Sequence, residues 1–208
     1  MCGREFGVSW SASDRTCVLL PQYRTRVLIV KPRFLPDRYD CAVPPQPPSG
    51  ILPVVRPAAR VVLLDARDRI LLFRWEDERI DARSVWITPG GGLNDGESPE
   101  AGARRELREE TGIDAEPGPC VWIRSHTFRF GDVWLEQRER FYLVRVATIE
   151  VNGDGLEPQE RVAMKEHRLW SVAEIAASSE WFAPRSLAEL LPPLVRGELP
   201  ATPLEIGA

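Results

Sequence analysis

Lysine and histidine are scarce in this 208-residue chain: Lys31 and Lys165 are the only lysines among 27 basic residues, and His126 and His167 the only histidines. Neither histidine has sequence neighbours that would complete a hydrolytic triad, so both are expected to be structural. The four cysteines, Cys2, Cys17, Cys41 and Cys120, form no C-x-x-C pair and have no histidine nearby at ligand spacing. Zinc binding and a disulfide framework are therefore not supported. Cys120, ahead of Val121-Trp122-Ile123, reads as a small buried hydrophobe. The use of arginine almost to the exclusion of lysine points to a GC-rich coding sequence and hence a bacterial origin.

Long apolar runs are missing as well. Stretches such as Val61 to Leu64 and Ile70 to Phe73 fall far short of the ~20 residues that cross a bilayer. The N-terminus shows no apolar segment leading to a small-residue cleavage site. A cytoplasmic protein without a membrane partner is expected. Positive charge is lacking where the chain looks globular. Residues 1–50 hold seven Lys/Arg and four Asp/Glu, whereas the remainder holds 20 and 27, which together give the net −4. An acidic domain is a poor binder of polyanions, so nucleic acid is not an expected partner.

Three segments are expected. Residues 1–53 form a poorly structured extension: residues 1–50 carry seven prolines, including the tract Val43-Pro-Pro-Gln-Pro-Pro-Ser-Gly50, and only Arg26 to Lys31 resembles a strand. Residues 54–200 form the globular domain and 201–208 a tail. Within the domain, Ala59 to Leu64 and Ile70 to Trp75 read as a hairpin. Val85 to Thr88 is a short strand, and Cys120 to Phe130 with Val133 to Val146 form a second hairpin about Gly131-Asp132. Arg168 to Ser171 is a last strand, Ser171 caps a helix over Val172 to Ala177, and Pro184 to Leu191 starts a terminal helix.

The run Gly91 to Ile113, GGLNDGESPEAGARRELREETGI, is the most informative stretch. Ser98 can cap a helix whose first position is Pro99, and Gly112 sits where a left-handed cap would end it, so the helix spans about Pro99 to Thr111. On it Glu106, Glu109 and Glu110 lie at i, i+3 and i+4, within an arc of roughly 100°. Like charges at such spacings cost ~0.2–0.5 kcal/mol per pair on an isolated helix. They either dissolve into solvent or gain a cation, for which a hard divalent metal is suited. Ahead of the helix, Pro89, Gly90, Gly91, Gly92, Asn94, Asp95 and Gly96 form a loop able to bring bare backbone close to a phosphate chain.

This run satisfies every position of G-x5-E-x7-R-E-U-x-E-E-x-G-U, where U is bulky and aliphatic, and so resembles the Nudix box. The resemblance implies an α/β fold, an α/β/α sandwich with a mixed sheet. It also implies hydrolysis of a nucleoside diphosphate linked to another moiety, such as a nucleotide sugar, an ADP-ribose-like compound or a nucleoside triphosphate. It assigns Mg2+, with Mn2+ as a substitute, to Glu106, Glu109 and Glu110, with the Gly90 carbonyl as a further ligand. Arg105 and Glu97 become a supporting pair, and Gly91 has a conformational role. A small nucleotide is the expected partner, and a homodimer is left open.

Outside the box, Asn152 to Glu166 carries Glu157, Glu160 and Glu166, and family members often place an acid in such a loop as general base or extra ligand. Glu160 is the first choice, because it leaves room for the loop to fold back while Glu166 abuts a strand. Arg74 and Arg129 could clamp a phosphate, though each also reads as a solvated arginine. Trp75, Trp86, Trp122, Phe128, Trp134 and Tyr142 offer aromatic area that packing alone would explain. The alternative is a catalytically silent sensor or interaction module on the same fold, disfavoured by the intact carboxylates.

Overall fold

A computed structural model describes residues 46–77, 84–156 and 158–207. The possible strand Arg26 to Lys31 and the loop residue Glu157 lie outside the described residues. From 46 to 53 the chain makes a turn at Ser49-Gly50 and enters no strand.

The strands are β1 (Val54–Leu64), β2 (Ile70–Trp75), β3 (Val85–Ile87), β4 (Gly90–Gly92), β5 (Cys120–Phe130), β6 (Val133–Arg145), β7 (Met164–Trp170), β8 (Phe182–Ala183) and β9 (Leu204–Ile206). The helices are α1 (Pro99–Thr111), α2 (Pro158–Ala163), α3 (Val172–Ala177) and α4 (Leu187–Val195), with a 3-10 turn at Gly153–Gly155. The sheet runs β8-β3-β2-β1-β6-β5-β9, with β4 also pairing β1 and β7 also pairing β2. It is mixed. β1 runs antiparallel to β2 and parallel to β6 from Val54↔Leu135 to Leu64↔Arg145, and β5 and β6 form the long antiparallel hairpin.

Alternation along β1 sorts its side chains to two faces. Ala59, Val61 and Leu63 pack with Leu71, Phe73, Tyr142 and with Ala103 and Leu107 of α1. Val62 and Leu64 face Ile70, Leu72, Trp122, Phe141 and Trp170, covered by Ile175 of α3 and Leu187, Leu191 and Leu194 of α4. Helices on both faces of one sheet make the expected α/β/α sandwich. Among the described residues no helix is long and apolar enough to cross a membrane.

Four boundaries depart from the sequence reading. β1 begins at Val54 rather than Ala59, because the parallel ladder to β6 recruits Val54 to Ala58 despite Pro57. β7 begins at Met164 rather than Arg168, since β2 offers it an open antiparallel partner. α4 covers Leu187–Val195 rather than 184–191, with Pro192 and Pro193 inside it. Prolines there weaken an isolated helix, but burying Leu187, Leu191 and Leu194 on one face outweighs that loss. The segment read as a tail, 201–208, instead supplies β9, which adds in parallel to β5 from Trp122↔Leu204 to Arg124↔Ile206 and buries Ile206.

Candidate functional site

Both ends of α1 are pinned as the sequence requires. Ser98 Oγ accepts the Ala101 N–H at 3.2 Å, and Gly112, at φ +75°, donates its N–H to Arg108 O at 2.9 Å. Packing of Ala103 and Leu107 against Ala59, Val61 and Leu63 of β1 then sets the rotation of the helix, and hence which glutamates face inward. Glu106 and Glu110, one turn apart, lie on the buried face, while Glu109 shares its row with Arg105 and has a side chain 38% exposed. Of the three acids expected together, Glu109 stands beside Glu106 through a shared Arg105 nitrogen and outside the inward-facing pair. Glu109 Oε2 accepts from Arg105 Nη1 at 2.9 Å, and it is Glu160 of α2 that joins Glu106 and Glu110, with carboxylate oxygens all within 4.8 Å of one another.

Arg105 is the hub of the supporting contacts. Its Nε and Nη2 donate to the two oxygens of Glu97 at 2.8 and 2.9 Å, and Nη1 also reaches Glu106 Oε1 at 2.9 Å. Nη2 further donates to Gly92 O at 2.9 Å, which ties the glycine loop to the helix. This fork pairing with Arg105 is the main cause that holds the Glu97 carboxyl below the usual range.

The glycines lie where side chains could not. A Cβ on Gly90, at φ +130°, would stand 2.2 Å from Ala59 O, and one on Gly91 would stand 2.5 Å from Glu106 Oε1. With that space kept free, the Gly90 N–H donates to Glu110 Oε2 at 2.7 Å. The Gly90 carbonyl accepts from Arg60 Nη1 at 2.6 Å, leaving one lone pair for a cation. Burial pushes the Glu110 carboxyl well above the ordinary range and Glu106 adds to it; burial likewise raises Glu106, against the pull of Arg105. Concentrated negative charge out of reach of water is what a cation relieves.

A second polar group, unforeseen from the sequence, is centred on the buried Glu139. Glu139, with no exposed side-chain surface, accepts from Arg60 Nε at 2.9 Å, Arg124 Nε at 2.6 Å and Gln137 Nε2 at 2.7 Å. Burial acts to raise its carboxyl, but Arg60 and Arg124 outweigh this and hold it at about 2. Arg56 donates to Gln137 Oε1 at 2.6 Å. The signal that could have found the group is the alternation Gln137-Arg-Glu139 in β6, which sets two polar side chains on the inward face of a strand that continues into Phe141.

Arg56, Arg60, Arg124 and Gln137 line a cleft of about 450 Å3 together with Glu110, Glu160, Gly90 and Gly91, and Trp75, Phe128 and Phe130 are among its apolar walls. Trp75 and Phe128, from the aromatic set, reach it. His126, expected to be structural, also lines it, stacked on Phe128 at 5.3 Å. The other expected candidates lie elsewhere. Arg74 pairs with Glu166 at 2.9 Å, and Arg129 closes the β5–β6 turn on Gly131 O and Asp132. His167 packs edge-on against Phe73.

The NUDIX domain family matches residues 54–200, well over half of the sequence. The chain belongs to the Nudix family. It is 29% identical over 137 residues to Nudix hydrolase 26, chloroplastic, of Arabidopsis thaliana, a match covering 58% of this chain and 59% of that protein. It is 42% identical over 108 residues to an RNA pyrophosphohydrolase of Cereibacter sphaeroides, covering 46% of this chain and 64% of the relative. The chain thus spans less than two thirds of the length of these relatives. A MutT Nudix hydrolase from Burkholderia pseudomallei superposes with a TM-score of 0.52 at 19% identity, over 67% of this chain and 98% of the other. That likeness establishes the shared Nudix fold.

Proposed function

We propose that this Nudix protein hydrolyses a phosphoanhydride bond in a nucleoside diphosphate linked to another group, with Mg2+, or Mn2+ in its place, as the required cation. The observation that carries the reading is the meeting of Glu106, Glu110 and Glu160 within 4.8 Å, two of them lining a cleft that arginines and aromatics also line. The donor set suits a hard divalent ion, since carboxylates and the spare Gly90 lone pair are all oxygen ligands. Glu106 and Glu110 would hold it, with Glu109, on the same helix and paired with Arg105, as the third carboxylate of the box. Once bound, the ion supplies neutralisation of the diphosphate oxygens and a lowered pKa for a coordinated water.

The protein groups do the rest. Arg105, gripped by Glu97, keeps Glu106 in place, a supporting role that orients the carboxylates. The Glu160 carboxylate takes the proton of the attacking water while the water oxygen bonds to phosphorus and the bridging P–O bond breaks, the bonding pair leaving with the displaced phosphate. Arg56 and Arg60 lie where they can pair with phosphate oxygens, and Trp75 and Phe128 offer faces for a planar base. The products are a nucleoside monophosphate and a phosphorylated second moiety, or a monophosphate and pyrophosphate from a triphosphate. The Cereibacter sphaeroides relative, named an RNA pyrophosphohydrolase, extends the candidates to RNA, against which the acidic charge of residues 51–208 argues.

The test is a screen of purified protein with Mg2+ against nucleoside triphosphates, sugar nucleotides, ADP-ribose, dinucleoside polyphosphates and a 5′-triphosphorylated RNA. Turnover of at least one, abolished by chelation and lowered at least ~10^2-fold in Glu110→Gln, is the expected result. Tight nucleotide binding with no turnover of any compound would favour the silent sensor instead.

A further inference from the structure

We propose that the loop from Asn152 to Leu156 is a positioning device that seats Glu160 beside Glu106 and Glu110, with Gly155 and Arg161 as its positioning residues. The proposal rests on the reading above, in which Glu160 takes part in the reaction.

Glu160 is some fifty residues beyond α1 in sequence, on a helix of six residues, so nothing local brings it to the other carboxylates. The loop does so by pressing on the last turn of α1. The Asn152 N–H donates to Thr111 O at 2.9 Å, and Asn152 Oδ1 accepts the Asp154 N–H at 3.0 Å, which starts the 3-10 turn. Gly155 then meets the helix backbone itself. A Cβ there would lie 2.5 Å from Glu109 O, 2.8 Å from Glu109 Cα and 3.0 Å from its carbonyl carbon. None of these atoms can swing aside as a side-chain tip would. With α1 pinned by its caps and by Arg105, a larger residue at 155 must move the loop.

Movement of the loop reaches Glu160 because α2 is tied to it. Arg161 Nη2 donates to Asp154 O at 2.6 Å and its Nε to Leu156 O at 3.0 Å. The far end of α2 is anchored separately. Ala163 O accepts the Glu76 N–H at 2.8 Å, and Met164 at once enters the β7 ladder opposite Trp75. Glu160 therefore sits between a fixed strand and a loop whose distance from α1 is set by the absence of a side chain at Gly155. A misplacement of about 1 Å in such a group can cost on the order of 10^2 in rate.

The test is a double-mutant cycle of Gly155→Ala with Glu160→Gln, and of Arg161→Ala with Glu160→Gln. Arg161→Lys serves as the conservative variant, and Mn2+ titration calorimetry of every protein gives a readout independent of turnover. Gly155→Ala is expected to lower kcat about 10- to 100-fold with KM nearly unchanged. Because the Glu160 carboxylate adds its charge beside Glu106 and Glu110, Gly155→Ala is also expected to weaken Mn2+ binding as Glu160→Gln does, and to add little to either loss in the double variant. Arg161→Ala follows the same pattern more mildly, and Arg161→Lys recovers part of it. Losses that multiply fully with those of Glu160→Gln would overturn the proposal, as would a Gly155→Ala protein with wild-type kcat and Mn2+ affinity. If Glu160→Gln keeps full turnover while it and Gly155→Ala both lose Mn2+ affinity, the positioning stands and the base role of Glu160 falls. Should Gly155→Ala fail to fold, the exposed Arg161 carries the test alone.

Discussion

Glu139 shows how one buried residue links stability to pH. Its carboxylate is enclosed by Arg60, Arg124 and Gln137, and its pKa lies at about 2 against 4.5 for a free glutamate. A depressed folded pKa means that protons bind the unfolded chain more readily, so the stabilisation is complete above pH 4.5 and lost as pH falls through about 2. Across that window it amounts to roughly 3 kcal/mol. His126 adds a neighbouring window. Burial first and Arg124 second hold its pKa at about 4 against 6.5, so the folded state keeps it neutral and stability declines as pH drops from 6.5 to about 4. Urea unfolding midpoints measured between pH 7 and pH 3 should therefore fall steadily in the wild type. Glu139→Gln should be less stable at pH 7, because it leaves two buried guanidinium groups without a counter-charge, and its curve should be flatter below pH 4.5. Curves that run parallel would refute the assignment. This residue is easily missed in the sequence. A glutamate in a strand alternating with arginines reads as surface, and only the parallel β1–β6 ladder sets Arg60 against it.

Among the elements, α1 was legible to its boundaries, because its signals are all local. A capping serine, a proline at the first turn and a glycine at the left-handed end act within a few residues of the chain. Ser98→Ala should lower stability by about 1 kcal/mol, read as a lower thermal midpoint, while turnover well below that midpoint stays unchanged. A drop in turnover without a drop in stability would mean that Ser98 acts on the site and not on the helix. The Ser171 cap of α3 was legible for the same reason, and the structure adds Glu174 as the other half of a capping box. The start of β1, the start of β7 and the span of α4 were not. Each is decided by a partner distant in sequence: β6 for Val54 to Ala58, β2 for Met164 to His167, and the core under Leu194 for a helix holding two prolines.

For the whole molecule, the last residues matter more than their composition suggests. β9 lies alongside Trp122 to Arg124 and places Ile206 in the same core cluster as Trp122 and Phe141. Removing residues 201–208 strips one side of β5 of its ladder and uncovers apolar surface worth ~25 cal/mol per Å2. The truncated protein should melt several degrees lower, with a higher tendency to associate through the bared edge. A thermal midpoint within error of the full chain would show that β9 contributes nothing.

What the sequence by itself determined is the chemistry gathered on α1 and in the loop before it: the carboxylates, the arginine among them and the glycines that leave room for a ligand. These are local matters, set by helical periodicity and by the φ values that glycine alone tolerates. Which carboxylates meet was decided by tertiary structure. The rotation of α1 against the sheet turns Glu109 toward Arg105 and Glu110 inward, and the press of Gly155 on the same helix brings Glu160 to them from across the domain. The arginine pairing of Glu139 likewise exists only once β1 pairs with β6, because charges that look solvated along one strand become a buried network when a second strand is laid beside it.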